Sequence, residues 1–578
     1  MNSSISQSPA RSATMSGAQA IIASCEQHGL THIFGYPGGA NIPLFDALLD
    51  SSITLVLSRH EQGAVHMADG YARASGKVGV ALVTSGPGAT NTITGLLTAH
   101  MDSVPLIVIC GQTVTANLGL DAFQEADVSG ISYPVVKHSY LVKDPSQLPR
   151  IMKEAFYLAS TGRPGPVLID VPKDVSSAVC HADFTVHMDL PGYQATRGFD
   201  EAQIECAAAA LSNARRPVLL VGHGAIISGA QKEVRHLAEK LKIPVVSTLL
   251  GKGAFPETHE LSLGMLGMHG TAYANYAVRD CDLILSVGSR FDDRITGNPK
   301  TFCKDAVKIH IDIDPAEESR QIPIDCFINA DAKEAVSALM ALAVPGDTAA
   351  WVAQVHKWKA EFPLTYRPDE LSAQLVIDSL YRLSGGNTVV TTDVGQHQMW
   401  AAQYFKCDDG RSWISSGGAG TMGFGFPAAI GAQLARPEAT VLAIVGDGGF
   451  QMTESELSTA MIQKTPVKII IIDNKYLGMV RQWQDIFFNN RLSGVAMEYN
   501  PDFVKLAEAY GMKGFRISQV DEVAPILSAA LAYEGPCIVH AEVAREDNVF
   551  PMIPAGADYS AMLLERPAGP VEKPKGST

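Results

Sequence analysis

Residues 440–450 read Thr-Val-Leu-Ala-Ile-Val-Gly-Asp-Gly-Gly-Phe, and residues 466–474 read Pro-Val-Lys-Ile-Ile-Ile-Ile-Asp-Asn. Each contains an unbroken apolar run, which is typical of a parallel strand buried on both faces of a sheet. Between them, residues 454–462 carry helix formers with apolar side chains along one side. A strand-helix-strand unit of this length forms a right-handed crossover, so both strands end at the same edge of the sheet. The stretch therefore predicts an α/β fold.

Asp447 and Asn474 follow these two strands, so their oxygen atoms are expected to meet at that edge. The flanking glycines would let the backbone come close to a ligand. Mg²⁺ prefers oxygen ligands of this kind and usually shares them with the phosphates of a substrate. Alternatively, both residues only close turns, which is the commoner use of Asp-Gly and Asp-Asn pairs. From the residues alone, both interpretations stay open.

The chain as a whole has the composition of a globular protein. Its 578 residues predict three domains, with 46% apolar and 18% charged residues. The net charge of −15, without a basic patch, argues against nucleic-acid or anionic-membrane partners. Nine cysteines without a C-x-x-C pair indicate reduced thiols rather than disulfides or a zinc site. No apolar run has transmembrane length, and the Ser-rich start lacks a signal-peptide core, so we expect a cytoplasmic enzyme.

The first third contains three short apolar runs that predict strands, at residues 33–35, 53–57 and 78–83. Each run precedes a loop of small and polar residues, at 36–43, 58–64 and 84–91. Glu61 stands where a helix begins, a position that the helix dipole alone would favour for an acid. Residues 84–91 have the glycines and hydroxyls of a phosphate-binding loop, but no Gly-Lys-Ser/Thr ending completes a nucleotide P-loop.

The middle third opens with a strand-turn-helix-strand unit over residues 217–248. Gly222-x-Gly224 would suit a dinucleotide crevice, although the third glycine of that fingerprint is missing. Further strands are predicted at 283–287 and 307–311. Asp312 and Asp314 follow the last of these, where an acid either accepts from ribose hydroxyls or closes a turn.

The last third has a predicted strand at 389–392, after which His397 serves either as an acid–base group or as a structural residue. Residues 162–174 and 535–547 share one pattern, which hints that the first and last domains share an architecture. The expected domain limits are a disordered tail at 1–14, domains at 15–188, 199–345 and 372–560, and a second tail at 561–578.

Several motifs resemble those of known families. Residues 36–39, 59–63 and 85–91 resemble the pyrimidine-binding domain of thiamine diphosphate enzymes, and Gly446-Asp447-Gly448 with Asn474 resembles their diphosphate-and-magnesium motif. Residues 265–270 and 290–294 resemble the FAD-binding middle domain of the acetolactate synthase family, and residues 477–484 are characteristic of it. The resemblance runs through nearly the whole chain. It implies three doubly wound parallel-sheet domains, which bind the pyrimidine, the FAD and the diphosphate respectively.

The resemblance also implies the residues that hold each cofactor. Glu61 would hydrogen-bond the aminopyrimidine ring and activate thiamine diphosphate, and Met422 would hold that cofactor bent. Mg²⁺ would be bound by Asp447, Asn474 and the Tyr476 carbonyl. Further thiamine diphosphate contacts would be Tyr36, Pro37, Gly38, Pro87, Asn91, Val394, Gly395, Gln396, His397, Gly420, Gly448, Gly449, Gly478 and Met479. The flavin would be lined by Arg163, Gly222, Gly224, Leu249, Met268, His269, Arg290, Asp312 and Asp331.

Substrate residues follow from the same resemblance. Arg294 would grip the carboxylate of a 2-oxo acid, and Trp483, flanked by Met479, would favour 2-oxobutanoate over a second pyruvate. Phe123, Gln124 and Lys173 would complete the entrance for substrate. The chain departs from the family at Gly449, where Ser is more usual, and at Val114, where Pro is more usual. Neither departure removes a side chain that the mechanism needs.

The activity implied is decarboxylation of pyruvate and transfer of the hydroxyethyl unit to pyruvate or 2-oxobutanoate, in branched-chain amino acid biosynthesis. The family implies a homodimer or homotetramer with active sites at the subunit interface, and often a separate regulatory small subunit. Three alternatives remain: a sibling carboligase, decarboxylase or pyruvate oxidase; a flavin oxidoreductase; and a non-catalytic subunit. Intact Glu61, Asp447 and Asn474 argue against the last.

Overall fold

The structure is a computed structural model that describes residues 12–195, 198–568 and 571. Its described part contains three six-stranded sheets in which every pairing is parallel, each packed with helices. The predicted α/β class with three doubly wound parallel sheets is therefore confirmed. No helix among the described residues is long and apolar enough to cross a membrane.

The first sheet has the strand order β3-β2-β4-β5-β7-β6. Its interior strands β4 and β5 are buried along their full length, as their unbroken apolar runs require. The strands of this region are β1 (Ser12–Ser16), β2 (His32–Gly35), β3 (Thr54–Leu57), β4 (Gly79–Val83), β5 (Leu106–Gln112), β6 (His138–Leu141), β7 (Pro166–Pro172) and β8 (Val179–Asp183). The helices are α1 (Gly17–Gln27), α2 (Ile42–Leu48), α3 (Glu61–Ser75), α4 (Pro87–Thr90), α5 (Ile93–Asp102), α6 (Val128–Ser132), α7 (Leu148–Ser160) and α8 (Lys173–Ser177).

The predicted amino-terminal tail is too long. Strand β1 pairs antiparallel with β8 from Ser12 to Ser16, so residues 12–14 belong to a small two-stranded sheet. The Ser-rich composition gave no sign of this strand because its partner lies far along the chain. Residues 1–11 of the predicted tail lie outside the described residues.

The middle sheet has the order β11-β10-β9-β12-β13-β14. Strand order reverses between β9 and β12, and this switch point is where open parallel sheets usually bind ligands. The strands are β9 (Pro217–Val221), β10 (Val245–Ser247), β11 (Ser262–Met265), β12 (Leu283–Val287), β13 (Val307–Asp312) and β14 (Cys326–Asn329). The helices are α9 (Glu201–Asn213), α10 (His223–Ile227), α11 (Gln231–Leu241), α12 (Ala272–Asp280), α13 (Asp293–Thr296), α14 (Ala332–Leu342) and α15 (Ala349–Glu361).

The last sheet has the order β16-β15-β17-β18-β20-β19, which repeats the topology of the first sheet strand for strand. The predicted common architecture is thus confirmed. The strands are β15 (Thr388–Thr392), β16 (Trp413–Ser415), β17 (Thr440–Gly446), β18 (Lys468–Asp473), β19 (Lys513–Ile517) and β20 (Cys537–Glu542). The helices are α16 (Ala373–Ser384), α17 (Gln396–Tyr404), α18 (Gly425–Ala435), α19 (Asp447–Phe450), α20 (Leu457–Gln463), α21 (Gly478–Phe487), α22 (Phe503–Ala509) and α23 (Val523–Ala532).

The predicted carboxy-terminal tail also begins too early. Residues 559–561 form a 3-10 turn, and the backbone of Leu563 bonds that of Met552 in both directions at 2.8 Å. Arg566 forms an ion pair with the buried Asp485 at 2.5 Å. The segment is therefore packed at least as far as Arg566. Residues 569, 570 and 572–578 lie outside the described residues.

The chain divides into two compact units. Of the described residues, the first contains 12–195 together with segments 430–435 and 455–463 of the last third. The second contains the middle sheet and the last sheet.

Candidate cofactor sites

A cleft of about 520 Å³ opens in the second unit where β15, β17 and β18 end. These three strands are neighbours and parallel, so the loops that follow them meet at one edge of the sheet. The predicted residues that line the cleft are Val394, Gly395, Gln396, His397, Met422, Asp447, Gly448, Gly449, Asn474, Tyr476, Gly478 and Met479. Gly420 was predicted with them but does not line the cleft as the structure describes it.

Asp447 and Asn474 lie on this cleft, as the ends of paired strands should. The Asp447 carboxylate is buried and accepts a hydrogen bond from the Asn500 amide at 2.7 Å. Burial and the neighbouring Asp473 raise the pKa of Asp447. A carboxylate in such a setting is stabilised as an anion by a bound cation, which agrees with a role as a metal ligand.

The side-chain oxygen of Asn474 accepts from the Tyr476 backbone N–H at 3.1 Å, which folds this loop back on itself. The guanidinium carbons of Arg481 and Arg545 lie 5.8 and 4.8 Å from the centroid of the Tyr476 ring. A carboxylate, an amide and a carbonyl are hard oxygen donors of the kind that Mg²⁺ takes. Among the described residues, no group of three or more His, Cys, Asp or Glu side chains is placed to hold a metal ion.

A hydrogen-bonded chain behind Asp447 was missed by the sequence analysis. The Asn500 amide also donates to Asp473 at 3.1 Å, and His540 contacts the other oxygen of Asp473 at 2.8 Å. Gln451 bonds both the Asp447 carbonyl and the Asn500 side chain, each at 3.0 Å. This network fixes the orientation of the Asp447 carboxylate.

His397 lies in the first turn of α17 and lines the same cleft. Burial lowers the pKa of His397 to about 3, so its ring is neutral, and its Nε2 has no hydrogen-bond partner among the described residues. The ring also bonds the Asp393 backbone, and a neutral imidazole carries a single N–H, so Nε2 donates to a phosphate oxygen only in the tautomer that places the proton on it. Together with the oxygen donors above, this unsatisfied atom fits a diphosphate held through Mg²⁺.

Glycines let the backbone come close around the cleft. A Cβ on Gly478 would lie 2.1 Å from the Gln396 side chain, and a Cβ on Gly449 would lie 2.1 Å from the Asp393 carboxylate. Burial raises the pKa of Asp393 to about 7, although backbone N–H groups of Gly423 and Val394 oppose this shift. In this chain Gly449 therefore packs directly on a buried carboxyl group.

The predicted substrate residues of the second unit are Met479 and Trp483 on α21 and Arg294 on α13. Met422 and Met479 line the cleft, but Trp483 does not. Trp483 lies one turn further along α21, with its ring centroid 5.0 Å from that of Phe487. Arg294 lies on α13 with 59% of its side chain exposed, and its Nη1 is 3.6 Å from the Met268 sulfur.

The predicted activating acid lies in the first unit. Glu61 is the first residue of α3 and is buried. Its Oε2 accepts a hydrogen bond from the Asn91 side chain at 2.9 Å. A Cβ on Gly88 would lie 3.3 Å from the other Glu61 oxygen, so the start of α4 packs against the carboxylate.

The other predicted residues of this unit surround the same edge of the first sheet. Tyr36 begins the loop after β2, and its carbonyl accepts from the Asn41 amide at 3.2 Å. Gly38 approaches Thr84 so closely that a Cβ would lie 2.5 Å from that side chain. Pro37 stands between Tyr36 and Gly38 in the same loop, and Pro87 is the first residue of α4. The loops after β2, β3 and β4 are thus brought together at this edge.

The predicted substrate residues of the first unit are mostly exposed. Phe123 is 89% exposed, and Lys173, the first residue of α8, is also exposed. Gln124 has a positive φ of 56° and packs on Gly86, where a Cβ would lie 2.9 Å from the Gln124 carbonyl. These residues are available to a ligand or a partner rather than to the core.

The predicted flavin residues lie mainly around the middle sheet. Gly222 and Gly224 follow β9, and both approach Gly288 after β12 so closely that a Cβ would clash with its backbone. This close approach lies at the switch point of the sheet and suits a dinucleotide. Arg290 follows on the β12 side, and Leu249 begins a 3-10 turn after β10.

The predicted flavin residues also include two acids and a histidine. Asp312 ends β13 and accepts from the Asp314 N–H at 2.9 Å, while Asp331 caps α14 by accepting from Lys333 N–H at 2.9 Å. His269 follows the edge strand β11. Burial lowers its pKa to about 4, and a hydrogen bond to the Pro551 backbone opposes that shift. Arg163 belongs to the first unit, where its Nε donates to the Ser103 hydroxyl at 2.9 Å.

Family models match all three regions of the chain. They are described as thiamine pyrophosphate enzyme domains: an N-terminal TPP binding domain at residues 15–131, a central domain at 204–339 and a C-terminal TPP binding domain at 393–541. The fold, the cleft and these matches define a thiamine diphosphate-dependent enzyme.

Similarity to curated proteins identifies the family to which the chain belongs within the class of thiamine diphosphate-dependent enzymes. The chain is 45% identical to the acetolactate synthase large subunit of Haemophilus influenzae, over 96% of this chain and 99% of the relative. The isozyme 3 large subunit of Escherichia coli K12 gives the same identity and coverage. A probable acetolactate synthase large subunit of Methanocaldococcus jannaschii is 47% identical over 94% of each chain. This chain belongs to the family of acetolactate synthase large subunits.

Proposed function

We propose that this chain catalyses the acetolactate synthase reaction. Pyruvate is decarboxylated, and its remaining two-carbon unit is joined to pyruvate or 2-oxobutanoate, giving 2-acetolactate or 2-aceto-2-hydroxybutanoate. The observation that supports this most strongly is the cleft on which Asp447 and Asn474 lie beside the unsatisfied His397 nitrogen. No feature of the structure favours a sibling carboligase or an oxidase over this activity.

When bound, thiamine diphosphate supplies an electron sink that lets the substrate carboxylate leave as CO₂. Asp447, Asn474 and the Tyr476 carbonyl would hold Mg²⁺, and His397 would contact the diphosphate through Nε2. Met422 would support the middle of the cofactor from the wall of the cleft. Glu61 would hold and return a proton at the aminopyrimidine ring, which is work for a positioned carboxyl group.

The remaining predicted residues would bind substrates and flavin. Arg294, with its exposed guanidinium, would bind the carboxylate of the 2-oxo acid through two parallel hydrogen bonds. Phe123, Gln124 and Lys173 would shape the entrance. FAD would lie at the switch point of the middle sheet and take no net part in the redox balance. The predicted limits 15–188, 199–345 and 372–560 would then bound the pyrimidine, flavin and diphosphate domains.

The active form would be a homodimer or a dimer of dimers, with Glu61 of one subunit serving the cofactor held by the partner subunit. Apolar side chains are exposed in the first unit, which supports the proposal that a partner subunit covers this surface. These side chains are Leu97, Leu120, Phe123, Ile131 and Tyr133. The relatives are named large subunits, which supports a separate regulatory small subunit. All nine cysteines are free, in keeping with the reducing cytoplasm.

The direct test withholds one cofactor at a time from the purified protein. Acetolactate should form from pyruvate only when thiamine diphosphate, Mg²⁺ and FAD are all supplied, with the flavin remaining oxidised during turnover. Activity without thiamine diphosphate, or flavin reduction at the rate of turnover, would identify a flavin oxidoreductase instead. Acetaldehyde or acetate as the main product would identify a sibling decarboxylase or oxidase.

Replacing Trp483 with Leu should weaken the preference for 2-oxobutanoate over pyruvate as the acceptor. An aromatic wall distinguishes one methylene by roughly 10- to 200-fold, so its loss should lower the preference for 2-oxobutanoate by about 10-fold. The ratio of the two products is measured with pyruvate and 2-oxobutanoate in competition. Phe487→Leu, which alters the ring packed on Trp483, serves as the control for general loosening of α21. An unchanged ratio in Trp483→Leu would contradict the assignment.

A further inference from the structure

Glu456 is a fully buried acid whose role the reaction described above does not include. It ends a short 3-10 turn (Glu454–Glu456) just before α20, and its relative exposure is 0%. It belongs to the first unit, although it lies in the last third of the sequence. A buried carboxylate is costly unless hydrogen bonds satisfy it, so its partners indicate its purpose.

Its partners are the backbone N–H groups that immediately precede the predicted activating acid. The Arg59 N–H donates to both carboxylate oxygens, at 3.1 and 3.0 Å, and the His60 N–H donates to Oε1 at 3.0 Å. The Thr459 hydroxyl donates to Oε2 at 2.6 Å and thereby orients the group. Glu456 therefore binds the two residues that lead into Glu61.

The first turn of α3 is also pressed against this carboxylate. Gly63 is two residues beyond Glu61, and a Cβ at that position would lie 2.2 Å from Glu456 Oε1. The absence of a side chain at Gly63 allows the helix to begin at this distance. Contacts on both sides of Glu61 thus come from one carboxylate.

The remaining support for Glu61 is slight by comparison. Its own oxygen accepts one hydrogen bond, from Asn91, and the His60 ring accepts from the Gln62 N–H at 3.1 Å. Burial raises the pKa of Glu456, and the Thr459 hydroxyl and the two N–H groups oppose that shift by stabilising the anion. The carboxylate at this helix start also interacts favourably with the positive end of the helix dipole.

We propose that Glu456 is the positioning residue for Glu61: it fixes the start of α3 so that the Glu61 carboxyl group stays aligned for proton transfer at the cofactor ring. This inference rests on the proposed function of Glu61. It predicts that Glu456 affects the reaction only through Glu61. Misplacement of a catalytic group by about 1 Å can cost roughly 100-fold in rate, so the effect is measurable.

The test follows exchange of the cofactor C2 hydrogen with D₂O in the complete holoenzyme, by NMR after acid quench. We expect Glu456→Gln to slow exchange by about 10- to 100-fold while thiamine diphosphate and Mg²⁺ bind with unchanged dissociation constants. Gly63→Ala, which displaces the carboxylate from the other side, should give the same pattern. Glu154→Gln is the matched control, because Glu154 is also buried in the first unit but bonds Tyr140 and Arg150.

A double-mutant cycle separates positioning from a general structural role. If Glu456 acts through Glu61, the Glu61→Gln/Glu456→Gln enzyme should exchange no more slowly than Glu61→Gln alone. Multiplied losses in the double variant would overturn the inference, and so would normal exchange in both Glu456→Gln and Gly63→Ala. Normal exchange in Glu61→Gln would instead refute the proposed role of Glu61 itself, so the two failures are distinguishable.

Discussion

Glu61→Gln is expected to lower acetolactate formation by about 100- to 10,000-fold, the usual contribution of a general acid–base group. Glutamine has nearly the same shape and can still accept the hydrogen bond that Asn91 donates at 2.9 Å. It has no carboxyl group, however, so it can neither hold nor return a proton at the aminopyrimidine ring. The substitution therefore removes proton transfer and leaves the geometry of the first unit in place.

The measurement compares kcat with the dissociation constant for thiamine diphosphate. Only kcat should fall, because the residues proposed to hold the diphosphate and the metal follow strands of the last sheet. Glu26→Gln is the matched control: Glu26 is an exposed acid of the same unit that accepts from the Ser52 N–H at 2.8 Å. A Glu61→Gln enzyme that retains most of its turnover would remove Glu61 from the mechanism, whatever its affinity for cofactor.

The sheets were predictable because their strands are buried on both faces. Residues 441–445 are apolar throughout and lie within β17, and residues 283–287, which form β12, are apolar except for Ser286. Strand β16, with three residues, is too short to show a pattern. Strand β1 is Ser-rich and depends on pairing with β8, so composition alone predicted a tail. Pairing between distant segments is not recorded in local sequence.

The residues of the candidate sites also divide into those that the sequence predicted and those that it did not. Asp447 and Asn474 could be placed because each directly follows a strand, and Glu61 because it begins the helix after β3. Parallel strands deliver their loops to one edge of the sheet. Asn500 and Glu456 could not be placed, since each reaches its partner from an irregular segment or a short turn. Their roles depend on the path of the chain in three dimensions. The missed residues are accordingly those that hold the predicted ones in position.

Asp447→Asn should weaken the binding of both Mg²⁺ and thiamine diphosphate. Loss of a residue that supports a metal site costs roughly 10- to 100-fold in affinity, and loss of the only charged ligand proposed here should reach at least about 100-fold. Asparagine also presents an N–H toward the Asn500 amide, which now donates to the carboxylate at 2.7 Å. One of these two amides must turn, so the network that orients the ligand is disturbed as well.

Binding of Mg²⁺ is measured at fixed thiamine diphosphate, and binding of thiamine diphosphate is measured at fixed Mg²⁺. The two measurements together distinguish weakened binding from unfolding of the protein. Saturating Mg²⁺ should restore part of the cofactor affinity, whereas FAD content should not change, because the predicted flavin residues surround the middle sheet. Asp378→Asn is the control, since Asp378 lies on α16 of the same domain and bonds Tyr366 and Arg382 at 2.6 Å each. If Asp447→Asn bound Mg²⁺ and thiamine diphosphate as tightly as the unaltered enzyme, the cleft would have to be assigned to a different ligand.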